Sequence, residues 1–318
     1  IVNCFILDLK KRMPVLLAAF LFLVASFIAF CHFIKNKNHS AMAKLNYPFA
    51  CGIDWLQVFV FLHSPLENKE ISDVRVAVSV YPTAQFLEKA EISLRFESKW
   101  HPFAIILFKP RTSVLPSYAA QMKLENRALY EENLMPRLSY VFSVLNIEFR
   151  SVSRLDIFYD CNKFWGGRSP RQFLTDYTRQ KILKIGINRG FLNFDNFGYQ
   201  VANGSKKMPA GFRVGSPLWT GCTWGSKDYI QAQIYNKSEE LRKVKYKPHI
   251  VAMWQDCGLD PASVWRSEIR IKKQGKHLQL IESGDLFSLG AFEIANQARI
   301  WELFQEYSDK YFRFVFRD

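Results

Sequence analysis

Apolar and polar positions alternate along much of this chain, and the alternation switches between a strand period and a helix period. Gly52–Leu62, GIDWLQVFVFL, is rich in aromatic and β-branched residues and predicts a buried strand. VRVAVSV (Val74–Val80) alternates, and Ala90–Ser98 and Phe103–Lys109 predict two more strands, with Pro110 and Pro116 marking a loop. Ala119–Met135 predicts a helix ended by Pro136. Strand pattern returns over Val144–Tyr159. Ser169 followed by Pro170 is a helix-start signal, and the helical pattern continues to Leu183. Asn188–Gly221 is rich in Gly, Asn and Pro, which predicts loops or hairpins. Strands follow at Gly221–Gly225, Tyr229–Asn236 and Val264–Lys273, with a helix at Pro248–Cys257. A last amphipathic helix runs from Phe292 to Asp309, and the strand-like YFRFVFRD ends the sequence. The mixture predicts an α+β fold with a large, mainly antiparallel sheet and flanking helices.

The N-terminal segment has a different pattern. Pro14–Phe30 is apolar except for Ser26, with Lys10, Lys11 and Arg12 before it and Lys35 and Lys37 after it. It reads as an apolar helix, either a membrane anchor over residues 14–34 or translated upstream sequence. The expected organisation is therefore residues 1–41 as this segment, 42–290 as a catalytic domain, and 291–318 as a C-terminal helix and end. The expected location is cytoplasmic, with the membrane a partner only if the anchor is real.

Composition narrows the function. Of 318 residues, 43 are Lys or Arg and 29 are Asp or Glu, a net charge of +14. An acidic partner fits that balance, nucleic acid before an anionic membrane surface. The cysteines (Cys4, Cys31, Cys51, Cys161, Cys222, Cys257) show no C-x-x-C spacing, which argues against a zinc ribbon and predicts reduced thiols. G-x-G-x-x-G and G-x-x-x-x-G-K patterns are absent, so nucleotide-fold enzymes have no support.

Side chains alternate across a strand, so residues two apart share a face. In SRLDIFYD, Arg154, Asp156, Phe158 and Asp160 share one face; in YIQAQIYNK, so do Gln231, Gln233, Tyr235 and Lys237. In VWRSEIRIKK, Arg266, Glu268, Arg270 and Lys272 share a face. A half-exposed sheet also carries such faces, so the pattern alone names no reaction. Placed together, the three faces would combine carboxylates (Asp156, Asp160, Glu268), a tyrosine and several bases. Carboxylates bind magnesium or manganese, which can polarise a phosphate oxygen. A tyrosine hydroxyl can attack phosphorus and form a covalent intermediate.

VSRLDIFYDCNKF (Val152–Phe164), TGCTWGSKDYIQAQIYNKSEEL (Thr220–Leu241) and VWRSEIRIK (Val264–Lys272), in that order, resemble the replication initiation factor family. Its members are rolling-circle initiators of small plasmids, with relatives among phage initiators and conjugative relaxases. GIDWLQVFV also resembles that family's first strand. Gln233 departs from it, standing where a basic residue is usual. The resemblance implies a metal-dependent enzyme that nicks origin DNA, stays on the 5′ end through a phosphotyrosine and leaves a 3′-hydroxyl. By position it implies Tyr235 as nucleophile, and Asp156, Glu268 and Asp160 as ligands of magnesium or manganese. Lys237 and Arg266 would act at the scissile phosphate. Trp224, Lys227, Arg270, Lys272 and Lys273 would position DNA, the tryptophan by stacking on an unpaired base. A homodimer and a recruited host helicase are further implied partners. Three alternatives stay open: a conjugative relaxase of the same chemistry, a non-catalytic anchored protein that binds nucleic acid, and a secreted protein if the cysteines pair.

Overall fold

The structure is a computed structural model. It describes residues 47–316 apart from 132, 165–166, 186–189, 195–196, 202–218, 227, 245 and 273–296. The apolar segment expected over residues 14–34 lies outside the described residues. The chain divides into two units, Ile1–Tyr47 and Pro48–Asp318, and all that follows concerns the second.

In chain order the elements begin with β1 (Phe49–Leu62), β2 (Lys69–Ile71), β3 (Val74–Val80), β4 (Phe86–Phe96), β5 (Lys99–Pro110) and β6 (Ala119–Leu124). A 3-10 turn (Arg127–Tyr130), α1 (Leu134–Leu145) and β7 (Ile147–Cys161) follow, then α2 (Pro170–Thr178), β8 (Ile182–Lys184), β9 (Gly190–Phe194) and β10 (Phe197–Val201). The rest is β11 (Trp219–Gly225), β12 (Ile230–Asn236), α3 (Lys237–Lys243), α4 (Pro248–Asp256), β13 (Trp265–Lys272), α5 (Gln297–Tyr311) and β14 (Phe314–Phe316). Among the described residues, twelve strands form one antiparallel sheet in the order β10-β9-β11-β12-β13-β7-β1-β6-β5-β4-β3-β2, and β14 pairs with β8 separately. The long strands β1 and β7 lie side by side at its centre.

One face of the sheet is apolar. Leu56, Val58 and Val60 of β1 meet Leu155 and Ile157 of β7 and Ile269 and Ile271 of β13 there. Leu138, Val141 and Leu145 of α1 and Ile300, Leu303 and Phe304 of α5 belong to the same core. Each such side chain contributes about 1.5–3 kcal/mol when fully buried, which fixes which face points inward. The opposite face is then left for chemistry.

Three expectations are corrected. Ala119–Leu124 is a strand, paired with β1 on one side and β5 on the other. Its helix-favouring Ala, Gln, Met, Lys and Leu are overridden by burial of Ala120, Met122 and Leu124 in the core. Pro136 sits in the first turn of α1 rather than ending a helix, because a proline there gives up no helical hydrogen bond. The helix after Ser169 is also shorter than expected. Ser169 does cap it, accepting from the Gln172 N–H, but α2 stops at Thr178 and Ile182–Lys184 is a strand. The C-terminal helix is described from Gln297 to Tyr311. Among the described residues, no helix is long and apolar enough to cross a membrane.

Candidate active site

The sheet sets β12, β13 and β7 next to one another, with Tyr235 opposite Arg266, Gln233 opposite Glu268 and Gln231 opposite Arg270. Across the next seam Arg266 is opposite Asp160, Glu268 opposite Phe158 and Arg270 opposite Asp156. The three polar faces therefore form one surface. β1 completes it through an irregularity: the register slips between Ile53 and Trp55, leaving Asp54 as an extra residue. A bulge lets two consecutive side chains turn to the same side. Asp54 and Trp55 both line a cleft of about 750 Å³, together with Asp156, Gln233, Tyr235, Lys237, Glu268 and Arg270.

Below the cleft lies a buried ion cluster. Arg266 is 0% exposed. Its Nε and Nη2 donate to the two oxygens of Asp160 at 2.7 Å each, and Trp254 Nε1 donates to Asp160 at 2.7 Å. Arg266 Nη1 lies 2.6 Å from Asp54, an ion pair without the alignment of a hydrogen bond. The guanidinium carbon sits 3.9 Å from the centre of the Phe158 ring, and Tyr130 stacks on that ring. Tyr130 donates to Asp54 at 2.5 Å. Burial opposes ionisation of Asp54, but Arg266 and Lys237 overcome it and hold this carboxyl far below the usual range. Asn126 also donates to Asp54, and His249 Nε2 donates to Asn126 at 3.0 Å. Burial, then Lys247, lower the His249 pKa to about 4, so the ring is neutral near neutral pH.

Tyr235 stands at the cleft wall, half-buried. Its hydroxyl donates to Glu268 Oε2 at 2.8 Å and accepts from Lys237 Nζ at 3.3 Å. Lys237, the first residue of α3, is buried and also pairs with Glu240 at 2.6 Å. Asn236 caps that helix by accepting from the Glu239 N–H, which fixes where Lys237 leaves the backbone. Burial raises the Tyr235 pKa well above the ordinary value; Glu268 raises it further and Arg266 opposes both. The phenol is therefore protonated at rest. Burial, with Asp54 and Asp156 nearby, pushes Glu268 up to about 6. A phenol hydrogen-bonded to a carboxylate of raised pKa has an acceptor in place for its proton.

The sequence around Tyr235 explains its neighbours. Gly221 of β11 is its register partner. A Cβ there would stand 2.6 Å from the Ile234 carbonyl and 2.9 Å from Tyr235 Cβ, so only glycine allows the approach. Gly225, at φ +85°, makes the turn into β12. Gly221→Ala is expected to destabilise the fold by about 1–3 kcal/mol through overpacking and to lower any Tyr235-dependent activity further than the lost stability explains. Thermal melts beside an assay of the folded fraction check this.

The divalent cation implied by the resemblance can be tested against the donor set. Both Asp156 oxygens accept from Arg154, at 2.9 and 2.5 Å, and one also accepts from Arg270 at 3.1 Å. Glu268 accepts from Tyr235 and from Gln233, the latter at 2.7 Å, with Arg270 at 3.5 Å. Arg270 thus sits between the two carboxylates, where a divalent ion would meet its charge. Asp160 is 0% exposed and committed to Arg266. Among the described residues, no three His, Cys, Asp or Glu side chains gather as metal donors. In this arrangement the residues do not fit the ion, and no step is routed through it.

The expected site residues fall into four groups. Tyr235, Lys237, Asp156, Glu268 and Arg270 meet in the cleft, and Lys272 lies alongside, opposite Arg154. Arg266 and Asp160 are beneath it, out of reach of a bound phosphate. Trp224 is a correction: it is 0% exposed, packed on Tyr177, Phe312 and Phe314, with its indole N–H donating to Tyr177. It cannot stack on a base. Lys227 and Lys273 lie outside the described residues. Asp54 and Tyr130 went unnoticed in the sequence. Only the aspartate in GIDW, an acid inside an apolar strand, was a signal for either. Cys51, Cys161, Cys222 and Cys257, the cysteines among the described residues, are free thiols.

No protein-family model matches the chain. No curated protein matches it either. Among solved structures it is similar to the rolling circle replication initiator protein from Geobacillus stearothermophilus, at 14% identity and a TM-score of 0.45, over 85% of this chain and 87% of that chain. A likeness of that degree leaves the chemistry to be argued from the side chains.

Proposed function

We propose that the chain nicks and rejoins DNA through a phosphotyrosine on Tyr235, as a rolling-circle replication initiator. The observation that carries this reading is the hydroxyl of Tyr235 held between the Glu268 carboxylate, at 2.8 Å, and the Lys237 ammonium, at 3.3 Å, at the wall of an open cleft. In the proposed step the Tyr235 oxygen attacks the phosphorus while its proton passes to Glu268. The bond from phosphorus to the 3′-oxygen breaks, and that oxygen takes a proton from solvent. Lys237 offsets the charge on the phenolate oxygen as the proton leaves. Rejoining reverses the sequence: a 3′-hydroxyl attacks the phosphotyrosine and Glu268 returns its proton. The attachment to the 5′ side and the choice of an origin come from the family resemblance. A relaxase would use the same step on a different DNA.

The pH dependence follows from Glu268. Below about 6 its carboxyl is protonated and cannot accept the tyrosine proton. The nicking rate is therefore expected to rise with pH through that value, about tenfold per pH unit on the acid limb, and Glu268→Gln should lose the limb with most of the rate. A pH–rate profile of the two proteins checks this. The parent assay mixes the protein with supercoiled DNA carrying the sequence around the coding region, with and without manganese, so that the ion's part is read separately. Open circles with protein bound at a 5′ end support the reading. Tight DNA binding with no nicking on that DNA, or on a pool of origin fragments, counts against it and favours a binding protein.

A further inference from the structure

Two glutamines on β12 hold apart a pair of opposite charges on β13. β12 buries Ala232 and Ile234 and turns Gln231, Gln233 and Tyr235 to the other side. Gln231 stands opposite Arg270 and Gln233 opposite Glu268. Gln231 Oε1 accepts from Arg270 Nη1 at 3.1 Å, and Gln233 Nε2 donates to Glu268 Oε1 at 2.7 Å. An ionised carboxylate only accepts, so the amide presents its nitrogen there. Arg270 is further engaged on Asp156 at 3.1 Å and reaches Glu268 only at 3.5 Å. A guanidinium and a carboxylate left to themselves pair through two parallel hydrogen bonds, each about twice as strong as a neutral one. Glu268 and Arg270 lie two apart on the same strand, yet they do not pair in that way. If they did, both carboxylate oxygens would be taken and the Tyr235 proton would have no acceptor.

We propose that Gln233 is a positioning residue: its amide fixes one oxygen of Glu268, keeps that carboxylate off Arg270 and aims the other oxygen at the Tyr235 hydroxyl. The aimed oxygen, Oε2, is the one that accepts from Tyr235 at 2.8 Å. What this orientation serves rests on the nicking reading. A neutral side chain suits the task. A lysine or arginine at 233 would also hold the carboxylate, but its charge would oppose the carboxylate's taking a proton. An apolar side chain would leave Oε1 to Arg270. Gln233 acts through Glu268 and not on the reacting atoms. Its effect therefore belongs in the rate of the chemical step and not in the hold on DNA.

The test compares the full chain with Gln233→Met, which keeps the side chain's length and removes the donor, and with Gln233→His, whose ring N–H reaches as far. Gln233 is half-buried on the cleft side, and Met conserves its bulk, so the fold is expected to stand; matching thermal melts check it. Nicking at varied DNA concentration gives kcat and KM. Gln233→Met should lower kcat about 10- to 100-fold, the cost of misplacing a reacting group, with KM within about twofold of the parent. Gln233→His should recover most of that loss at about pH 8, where an ordinary histidine is neutral. A second readout needs neither DNA nor catalysis: the NMR signal of the Tyr235 ring carbon that bears the hydroxyl, assigned by its absence from Tyr235→Phe. It should shift in Gln233→Met and return toward the parent position in Gln233→His. An unmoved tyrosine signal with unchanged kcat in Gln233→Met would overturn the proposal. A loss confined to KM would overturn it too, by making Gln233 a DNA contact. A chain that shows the expected shifts and never nicks defeats only the catalytic reading. One that nicks at the parent rate as Gln233→Met defeats only this proposal.

Discussion

Tyr235→Phe is expected to abolish strand cleavage while leaving DNA affinity within about twofold of the parent. The substitution removes one oxygen, the proposed attacking atom, and its hydrogen bonds to Glu268 and Lys237. No other hydroxyl among the described residues holds both partners. Loss of a nucleophile that acts with its base costs roughly 10⁴-fold or more in rate. The ring remains, so packing against Gly221 is kept. Losing a hydrogen bond to a charged group costs about 1.5–3 kcal/mol at most, and relief of a buried phenol offsets part of it. Supercoiled-plasmid relaxation and anisotropy on the same preparations separate the two effects. Residual nicking above a hundredth of the parent rate would assign the nucleophile elsewhere.

Arg266→Met is expected to lower stability more than any surface change. The guanidinium compensates Asp160 and Asp54 at once, with none of it exposed. Removing it leaves two carboxylates in a low-dielectric layer beneath the cleft. Breaking such a buried pair costs about 3–5 kcal/mol, and at about 2–4 °C per kcal/mol for a domain of this size the midpoint should fall by roughly 6–20 °C. Asp54 adds a pH signature. Its carboxyl ionises far below the usual range in the fold, so its stabilising share is present at neutral pH and lost only as pH falls through that low value. Without Arg266 that share should shrink to what Lys237 and Tyr130 still supply, and the gap between variant and parent should narrow in acid. Calorimetry of both proteins at neutral and acidic pH measures this. A double variant, Asp160→Leu with Arg266→Met, should recover part of the loss, because it removes a stranded charge along with its partner.

The polar faces of β7, β12 and β13 were legible because alternation is a property of the strand itself, and an apolar core leaves the other face no choice. Three things were not. Ala119–Leu124 is made of helix formers, and only its place between β1 and β5 turns it into a strand. Asp54 was hidden because a bulge breaks the period on which the reading depends, so the acid counts as an inward residue until the register slip is seen. Trp224 was placed at the DNA by the resemblance. Counting from Gly221 corrects it: Trp224 falls on the Cys222 side of β11, opposite Ala232, while Gly221 and Tyr235 share the other side. The metal expectation had a related origin. Sequence places carboxylates on a face but does not say that Arg154, Arg266 and Arg270 take their oxygens.

The most direct test of the central claim is to trap the nicked product, digest the protein and locate the nucleotide by mass spectrometry. The account predicts a 5′-phosphorylated nucleotide on the peptide that carries Tyr235, absent from Tyr235→Phe. A nucleotide on any other residue, or nicked DNA with no covalent adduct, would contradict it.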